Sequence, residues 1–424
     1  METQELAAAA VEAFERRRIV VAGIADDATT VALACRDMAE RFQGGGRLLV
    51  FGTGGGATDA EHIAVEFVHP VIVGKRALPA LSLASDSATL TGISADRGSA
   101  EIFSHQILTL GRPGDIALGL TDDGDSQAVR RGLEAAREAG MLTVALVGGD
   151  GGQIEREKVA DHCFVTPSSD SRIVKESHVT TYHVLWELVH VFFDTPRGAP
   201  AAEDRVEPES TGGVESLYPF LYGGSHNAQH VLDSVAASTV DKVTEIVGLR
   251  AAVGEEQAER LAVCAQQMAA AFNAGATLWA FGNGGSSTDA QDVVHTYLDP
   301  PPDCRPLPAL CLTSDAAIIT ALSNDVGYDV VFARQIRAFG RPGDIAVGLS
   351  TSGGSTNVLS AFDEAKEVGL MTVGIAGYGG GRMAELASLD QLFAVSSASV
   401  HRVQEVQTTI YHVLWELTQR ALAR

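Results

Sequence analysis

The sequence predicts an α/β protein built from two copies of one domain, each a five-stranded parallel sheet flanked by helices. Three observations carry this. Gly-Arg-Pro-Gly-Asp-Ile-Ala occurs at 111–117 and again at 340–346, and Tyr-His-Val-Leu-Trp-Glu-Leu recurs at 182–188 and 411–417. Phe51-Gly-Thr-Gly-Gly and Leu78-Pro-Ala-Leu are answered, in the same order, by Phe281-Gly-Asn-Gly-Gly and Leu307-Pro-Ala-Leu. Repeats in a fixed order mark a duplicated structural unit. Within each copy, short apolar runs alternate with longer amphipathic ones, the pattern of βαβ units and a parallel sheet.

The expected strands of the first copy are 47–51, 79–84, 115–120, 142–147 and 161–165; those of the second are 277–281, 308–312, 344–349, 371–376 and 391–395. Alanine-rich stretches at 126–139 and 355–368 stop at Gly140 and Gly369, as helices closed by a glycine do. A long helix precedes each first strand, and others near 172–192 and 401–423 close each copy. Residues 195–213 gather Pro, Gly, Ala, Ser, Asp and Glu with little apolar periodicity, which predicts a linker between domains at 1–194 and 214–424.

A chain of 424 residues, 46% hydrophobic, suits two domains with ordinary cores. Fifty-four acidic residues against thirty-one basic ones give a formal charge of −23, a field that repels nucleic acid and anionic membrane surfaces. The five cysteines are odd in number and scattered, which predicts buried small hydrophobes in a reducing compartment and no disulfide framework. The acidic start and the absence of an uninterrupted apolar stretch of about 18 residues set the expectation of a cytoplasmic protein.

Ligands of open parallel sheets bind beyond the carboxyl ends of the strands, so the loops after Phe51, Leu120, Phe281 and Leu349 are where chemistry is expected. Ser350-Thr-Ser-Gly-Gly-Ser355 supplies hydroxyls and helix N-terminal amides, which suit a phosphate; the bland alternative is a capped turn. Its counterpart, Thr121-Asp-Asp-Gly-Asp-Ser126, carries three carboxylates that would repel a phosphate dianion. The loop Gly52-Thr-Gly-Gly-Gly-Ala57 fits a dinucleotide fingerprint, but the acidic residue such a site needs arrives late, at Asp86. His62 and Glu66 share a helix face and could bind a metal or move protons, against the commoner reading of a solvated surface pair. The second copy has Asp292 and Thr296 there. On the closing helices Gln404 and His412 fall on one side, where the first copy has Lys175 and His183.

Gly282-Asn-Gly-Gly-Ser-Ser-Thr-Asp-Ala, Ser323-Asn-Asp, Ser350-Thr-Ser-Gly-Gly-Ser and Arg402-Val-Gln-Glu resemble the phosphoheptose isomerases of the sugar isomerase (SIS) fold, over nearly all of each copy. The resemblance implies two tandem SIS domains and conversion of sedoheptulose 7-phosphate to D-glycero-D-manno-heptose 7-phosphate. It also implies a Zn²⁺ held by His, Glu, Gln and His. Carried over residue by residue, it assigns substrate binding to Asn283, Gly284, Asn324, Asp325, Ser350, Thr351, Ser352, Ser355 and Gln404. The second copy lacks the family's His and Glu, while the first keeps His62, Glu66 and His183 but departs at Thr53, Ala95, the acidic loop and Lys175.

These complementary losses set the expectation of one composite site. In it Glu66 is the base, His412 serves the oxygen side, and His62, Glu66, Gln404 and His412 hold the zinc. His183 is the alternative to His412, in which case Lys175 would oppose the metal. The family's assembly implies a homodimer of chains that recreates four domains, acting on a phosphorylated seven-carbon sugar without nucleic acid or membrane. The rival expectations are a non-catalytic phosphosugar regulator or adaptor, and an isomerase of another sugar phosphate.

Overall fold

The computed structural model describes residues 2–72, 74–194 and 228–423. The expected linker at 195–213 lies outside them. In chain order the elements run α1 (Thr3–Ala22), α2 (Ala28–Gln43), β1 (Leu48–Gly52), α3 (Gly55–Val68), β2 (Ala80–Ser82), α4 (Ser87–Arg97), α5 (Ser104–Leu110), β3 (Ile116–Thr121), α6 (Gln127–Glu138), β4 (Leu142–Gly148), α7 (Gly152–Arg156), β5 (His162–Thr166) and α8 (Ser171–Asp194). They continue with α9 (Ala228–Asn273), β6 (Leu278–Phe281), α10 (Gly285–Leu298), β7 (Ala309–Cys311), α11 (Ala316–Asp325), α12 (Val331–Phe339), β8 (Ile345–Ser350), α13 (Thr356–Val368), β9 (Met371–Ala376), β10 (Gln391–Ala394) and α14 (Val400–Leu422). Every expected strand is present within two residues at either end. Gly140 and Gly369, which follow α6 and α13, adopt φ of 78° and 92°, a region that suits glycine.

The sheets share one topology. The first is ordered β2-β1-β3-β4-β5 and the second reads β7-β6-β8-β9-β10, all neighbours parallel. In both, the strand order reverses between the first and third strands, and a crevice opens at their carboxyl ends at such a switch point. The loops after β1 and β3, and after β6 and β8, flank those crevices. Residues of the first sheet alternate between two cores: Leu48, Val50, Leu118 and Val144 face α2, α3 and α8, whereas Leu49, Phe51, Ala117 and Ala145 face α5 and α6. Burial of both faces is why these strands read as unbroken apolar runs.

The chain divides into two compact units, Ala22–Thr244 and Met1–Val21 with Glu245–Arg424. The first segment of the chain, expected with the first copy, therefore belongs to the second unit. There Arg17, almost fully buried, donates to Glu416 Oε1 at 2.6 Å, and Arg16 reaches Glu416 Oε2 at 2.9 Å. Conversely Val231 and Val235, at the start of α9, pack in the first unit's core, where Lys242 pairs with Glu187 at 2.9 Å. The sequence repeat does not reveal this allocation, because helix periodicity says which face is apolar and not which core receives it. Among the described residues no helix is long and apolar enough to cross a membrane, and the five cysteines are free thiols.

Candidate active site

In the first unit, the glycine loop turns the chain from β1 into α3. A side chain at Gly52 would lie 2.5 Å from the Gly56 carbonyl oxygen, so only glycine allows this tight reversal; Gly282 meets Ser286 in the same way. About two and three turns into α3, His62 and Glu66 point inward, only 2% and 3% exposed, which removes the solvated-pair reading. Opposite them α8 presents His183, fully buried, its ring 5.3 Å from that of His62. The Trp186 indole N–H donates to the Glu66 carbonyl at 2.7 Å and so fixes α3 against α8, a role for the tryptophan of the repeated Tyr-His-Val-Leu-Trp string.

His62, Glu66 and His183 offer ligand atoms that all lie within 4.8 Å of one another. The His62 Nε2, buried, has no hydrogen-bond partner among the described residues and stands 3.8 Å from Glu66 Oε1. Two imidazoles and one carboxylate are a donor set that fits a catalytic zinc site. Lys175 does not turn its charge toward this cluster without compensation. Its Nζ donates to Asp59 Oδ1 at 2.6 Å, to Thr58 Oγ1 at 2.9 Å and to the Gly55 carbonyl at 2.9 Å. His178, one turn further along α8, is held neutral: burial, abetted by the Lys175 charge and opposed by a hydrogen bond to the Val147 backbone, lowers its pKa to about 3.

The acidic loop of this unit is closed on itself. Asp123 Oδ1 accepts the Thr121 hydroxyl at 3.0 Å and the Asp125 amide at 2.8 Å. Asp125 Oδ1 accepts the Gln153 amide at 2.8 Å and pairs with Arg156 at 3.3 Å. Asp86 caps α4 by accepting the Ala88 and Thr89 amides, which engages it in fold structure.

In the second unit the loop after β8 keeps its hydroxyls together. Ser350 Oγ lies 3.4 Å from Ser352 Oγ and 3.1 Å from Ser355 Oγ, and Ser352 Oγ accepts the Gly354 amide at 3.2 Å. Thr351 sits half-buried between them, and the loop feeds directly into α13. Across the crevice Asn283 exchanges two side-chain hydrogen bonds with Asn357, each 2.9 Å, and Asn283 Oδ1 also accepts the Tyr328 hydroxyl at 2.8 Å. Gly284 caps α10 with φ of 55°. Asn324 donates to Asp325 at 2.7 Å on the exposed end of α11.

Gln404 and His412 lie on α14, buried, but they engage neighbours of their own copy. Gln404 Nε2 donates to Asp289 Oδ2 at 2.9 Å, the counterpart of the Lys175–Asp59 contact. Asp292 Oδ2 accepts from the Tyr411 hydroxyl at 2.8 Å and from His412 Nε2 at 3.1 Å. Burial, with the Asp292 and Asp289 charges, raises the Tyr411 pKa well above the ordinary phenol value. Sequence reasoning missed Tyr328, Asn357 and Asp289. A position-by-position comparison of the copies would have found the first two, since Ser99 and Ala128 stand in their places.

A family model described as the SIS domain matches residues 4–148 and 243–377, one stretch in each copy. The chain belongs to the SIS domain family. The phosphoheptose isomerase of Nitratidesulfovibrio vulgaris strain Miyazaki F is 41% identical over 194 residues, 45% of this chain and 91% of that protein. That of a Roseiflexus species is 38% identical over 191 residues, 45% and 96% of the two chains. Each relative thus matches about one SIS domain's length of this tandem chain. A solved structure of tagatose-6-phosphate ketose/aldose isomerase from Escherichia coli covers 97% of this chain and 92% of its own with a TM-score of 0.57, at 11% identity; it shares the fold of the two SIS domains.

Proposed function

We propose that this chain, a sugar-phosphate isomerase by its relatives, interconverts sedoheptulose 7-phosphate and D-glycero-D-manno-heptose 7-phosphate through an enediol. The observation that carries this reading is the buried convergence of His62, Glu66 and His183 in a chain that keeps an open serine- and threonine-rich loop. Aldose-ketose isomerisation moves one proton between adjacent carbons and needs a base beside them, a group that exchanges protons with the oxygens, and a grip on the distant phosphate. Glu66 takes the carbon-bound proton and returns it to the neighbouring carbon. His183 serves the oxygens. Ser350, Thr351, Ser352 and Ser355, with the first amides of α13, hold the phosphate, and Asn283, Asn324 and Asp325 address the sugar hydroxyls. A Zn²⁺ held by His62, Glu66 and His183 would polarise the carbonyl and hydroxyl oxygens.

A single centre that draws its proton-transfer groups from one copy and its phosphate grip from the other is supported by the complementary losses: no copy retains both. In place of His412, we assign the oxygen-side histidine and the third metal ligand to His183, because His412 already donates to Asp292 and Gln404 to Asp289. The test is turnover of sedoheptulose 7-phosphate by the full chain with and without zinc, with zinc content measured in His183→Ala and His412→Ala. Loss of bound zinc and of turnover in His183→Ala alone supports this assignment; loss in His412→Ala alone restores the set with Gln404 and His412. Wild type that binds the sugar phosphate without converting it would make the chain a phosphosugar sensor.

A further inference from the structure

The glycine loop of the first unit opens onto a cavity of about 510 Å³ at the carboxyl end of β1. Leu90, Ile102 and Phe103 contribute its apolar wall, the hydroxyls of Thr53, Thr91 and Ser99 its polar edge, and no charged residue lines it. The space has a sequence origin. Thr53, Ala95, Ser99 and Ala128 stand where the second copy has Asn283, Asn324, Tyr328 and Asn357. Every exchange removes an amide or a phenol and leaves a smaller group, and three of the four replaced residues form the hydrogen-bonded Asn283–Asn357–Tyr328 cluster of the other unit. The phosphate loop of the same copy has meanwhile taken up its own donors: the Thr121 hydroxyl and the Asp125 amide are bound by Asp123.

We propose that this cavity is a second ligand site, selective for an uncharged glycoside with an apolar aglycone, and that it does not accept the sugar phosphate. A phosphate brought here would shed hydration without a counter-charge to receive it. An apolar body instead covers Leu90, Ile102 and Phe103, and sugar hydroxyls exchange hydrogen bonds with Thr53 and Ser99 and donate to Thr91, whose own hydroxyl donates to the Ser87 carbonyl at 2.6 Å. The volume falls in the range of about 300–1,000 Å³ typical of small-molecule pockets. His62, Glu66 and His183 are not among the lining residues, so occupancy here is separable from the proton-transfer cluster. The inference uses the phosphosugar reading of the second copy only as its contrast.

The test is calorimetric titration of the full chain with para-nitrophenyl glucoside, with para-nitrophenyl phosphate as the charged probe of matched body, and with sedoheptulose 7-phosphate. Two single variants are compared. Ser99→Tyr puts the second copy's residue into the cavity, and Ser352→Asp puts the first copy's residue into the phosphate loop. The glucoside is expected to bind wild type and Ser352→Asp equally and at least tenfold more weakly to Ser99→Tyr; Ala95→Asn serves in its place if that variant melts early. Para-nitrophenyl phosphate binding that Ser99→Tyr weakens, glucoside binding that survives Ser99→Tyr, glucoside binding lost in Ser352→Asp, or no glucoside binding at millimolar concentration would each overturn the proposal. Failure of the phosphosugar reading looks different: sedoheptulose 7-phosphate would not bind wild type while the glucoside still did.

Discussion

The same two helical positions and the same closing-helix histidine make a different cluster in each copy. In the first, His62, Glu66 and His183 gather with their ligand atoms within 4.8 Å, and the nearest His62–Glu66 approach, 3.8 Å, is too long for a hydrogen bond. In the second, Asp292 replaces the histidine and Thr296 the glutamate, and one carboxylate oxygen accepts hydrogen bonds from Tyr411 and His412 at 2.8 and 3.1 Å. Two substitutions therefore replace a buried His–Glu–His donor set with a hydrogen-bonded Asp–Tyr–His network. The loops after β3 and β8 differ in the opposite sense: the hydroxyls of 350–355 remain gathered, while Asp123 of the 121–126 loop binds the Thr121 hydroxyl and the Asp125 amide. These complementary differences are the basis of the proposed division of proton transfer and phosphate binding between the copies.

Glu66→Gln is the strongest way to break this comparison. It keeps shape and removes the base, so kcat should fall about 10²–10⁴-fold with little change in KM, read from steady-state turnover of sedoheptulose 7-phosphate. A fall of a few-fold would mean that the first copy does not supply the base. Ser352→Asp should act on the other half of the division. A carboxylate placed among the hydroxyls opposes the phosphate, and KM should rise at least tenfold, equivalent to about 1.4 kcal/mol. Unchanged KM would remove the 350–355 loop from phosphate binding.

Asp292→Asn sharpens the contrast from the structural side. Replacing a buried carboxylate that accepts two hydrogen bonds should cost about 1.5–3 kcal/mol of stability, seen as a lower melting temperature, while kcat stays within a few-fold of wild type. A kcat loss comparable to that of Glu66→Gln would make the second cluster catalytic and end the division of labour.

The strands and the repeat were legible because each sheet is buried on both faces, so that Leu48–Gly52 and Leu278–Phe281 read as apolar runs bounded by glycines. The glycine loops and the serine-rich loop were legible because backbone geometry at a switch point admits few residues. The wiring of the polar core was not. That Lys175 would be compensated by Asp59, or that His412 would donate to Asp292, depends on which side chains α3 and α8, or α10 and α14, bring within hydrogen-bond distance, and residue spacing along one helix says nothing about the other. The same limit hid the assignment of α1 to the second core: Arg17 reads as a surface arginine until Glu416 is placed beside it.

The smallest effect tests whether the copies also differ in acid tolerance. His178 of α8 has Gln407 as its counterpart on α14, and Gln407 Nε2 donates to the Ile375 carbonyl at 3.2 Å with no group that titrates. The folded pKa of His178, about 3, lies below its ordinary value of 6.5, mainly through burial. Below pH 6.5 the unfolded chain takes up a proton that the folded chain refuses. Stability is therefore complete above that pH and declines by about 1.4 kcal/mol per pH unit as the pH falls toward 3. His178→Gln, which installs the second copy's residue, should lessen that decline, so that the drop in melting temperature between pH 7 and pH 5.5 shrinks relative to wild type. An unchanged drop would place the acid sensitivity elsewhere and leave the two closing helices alike in this respect.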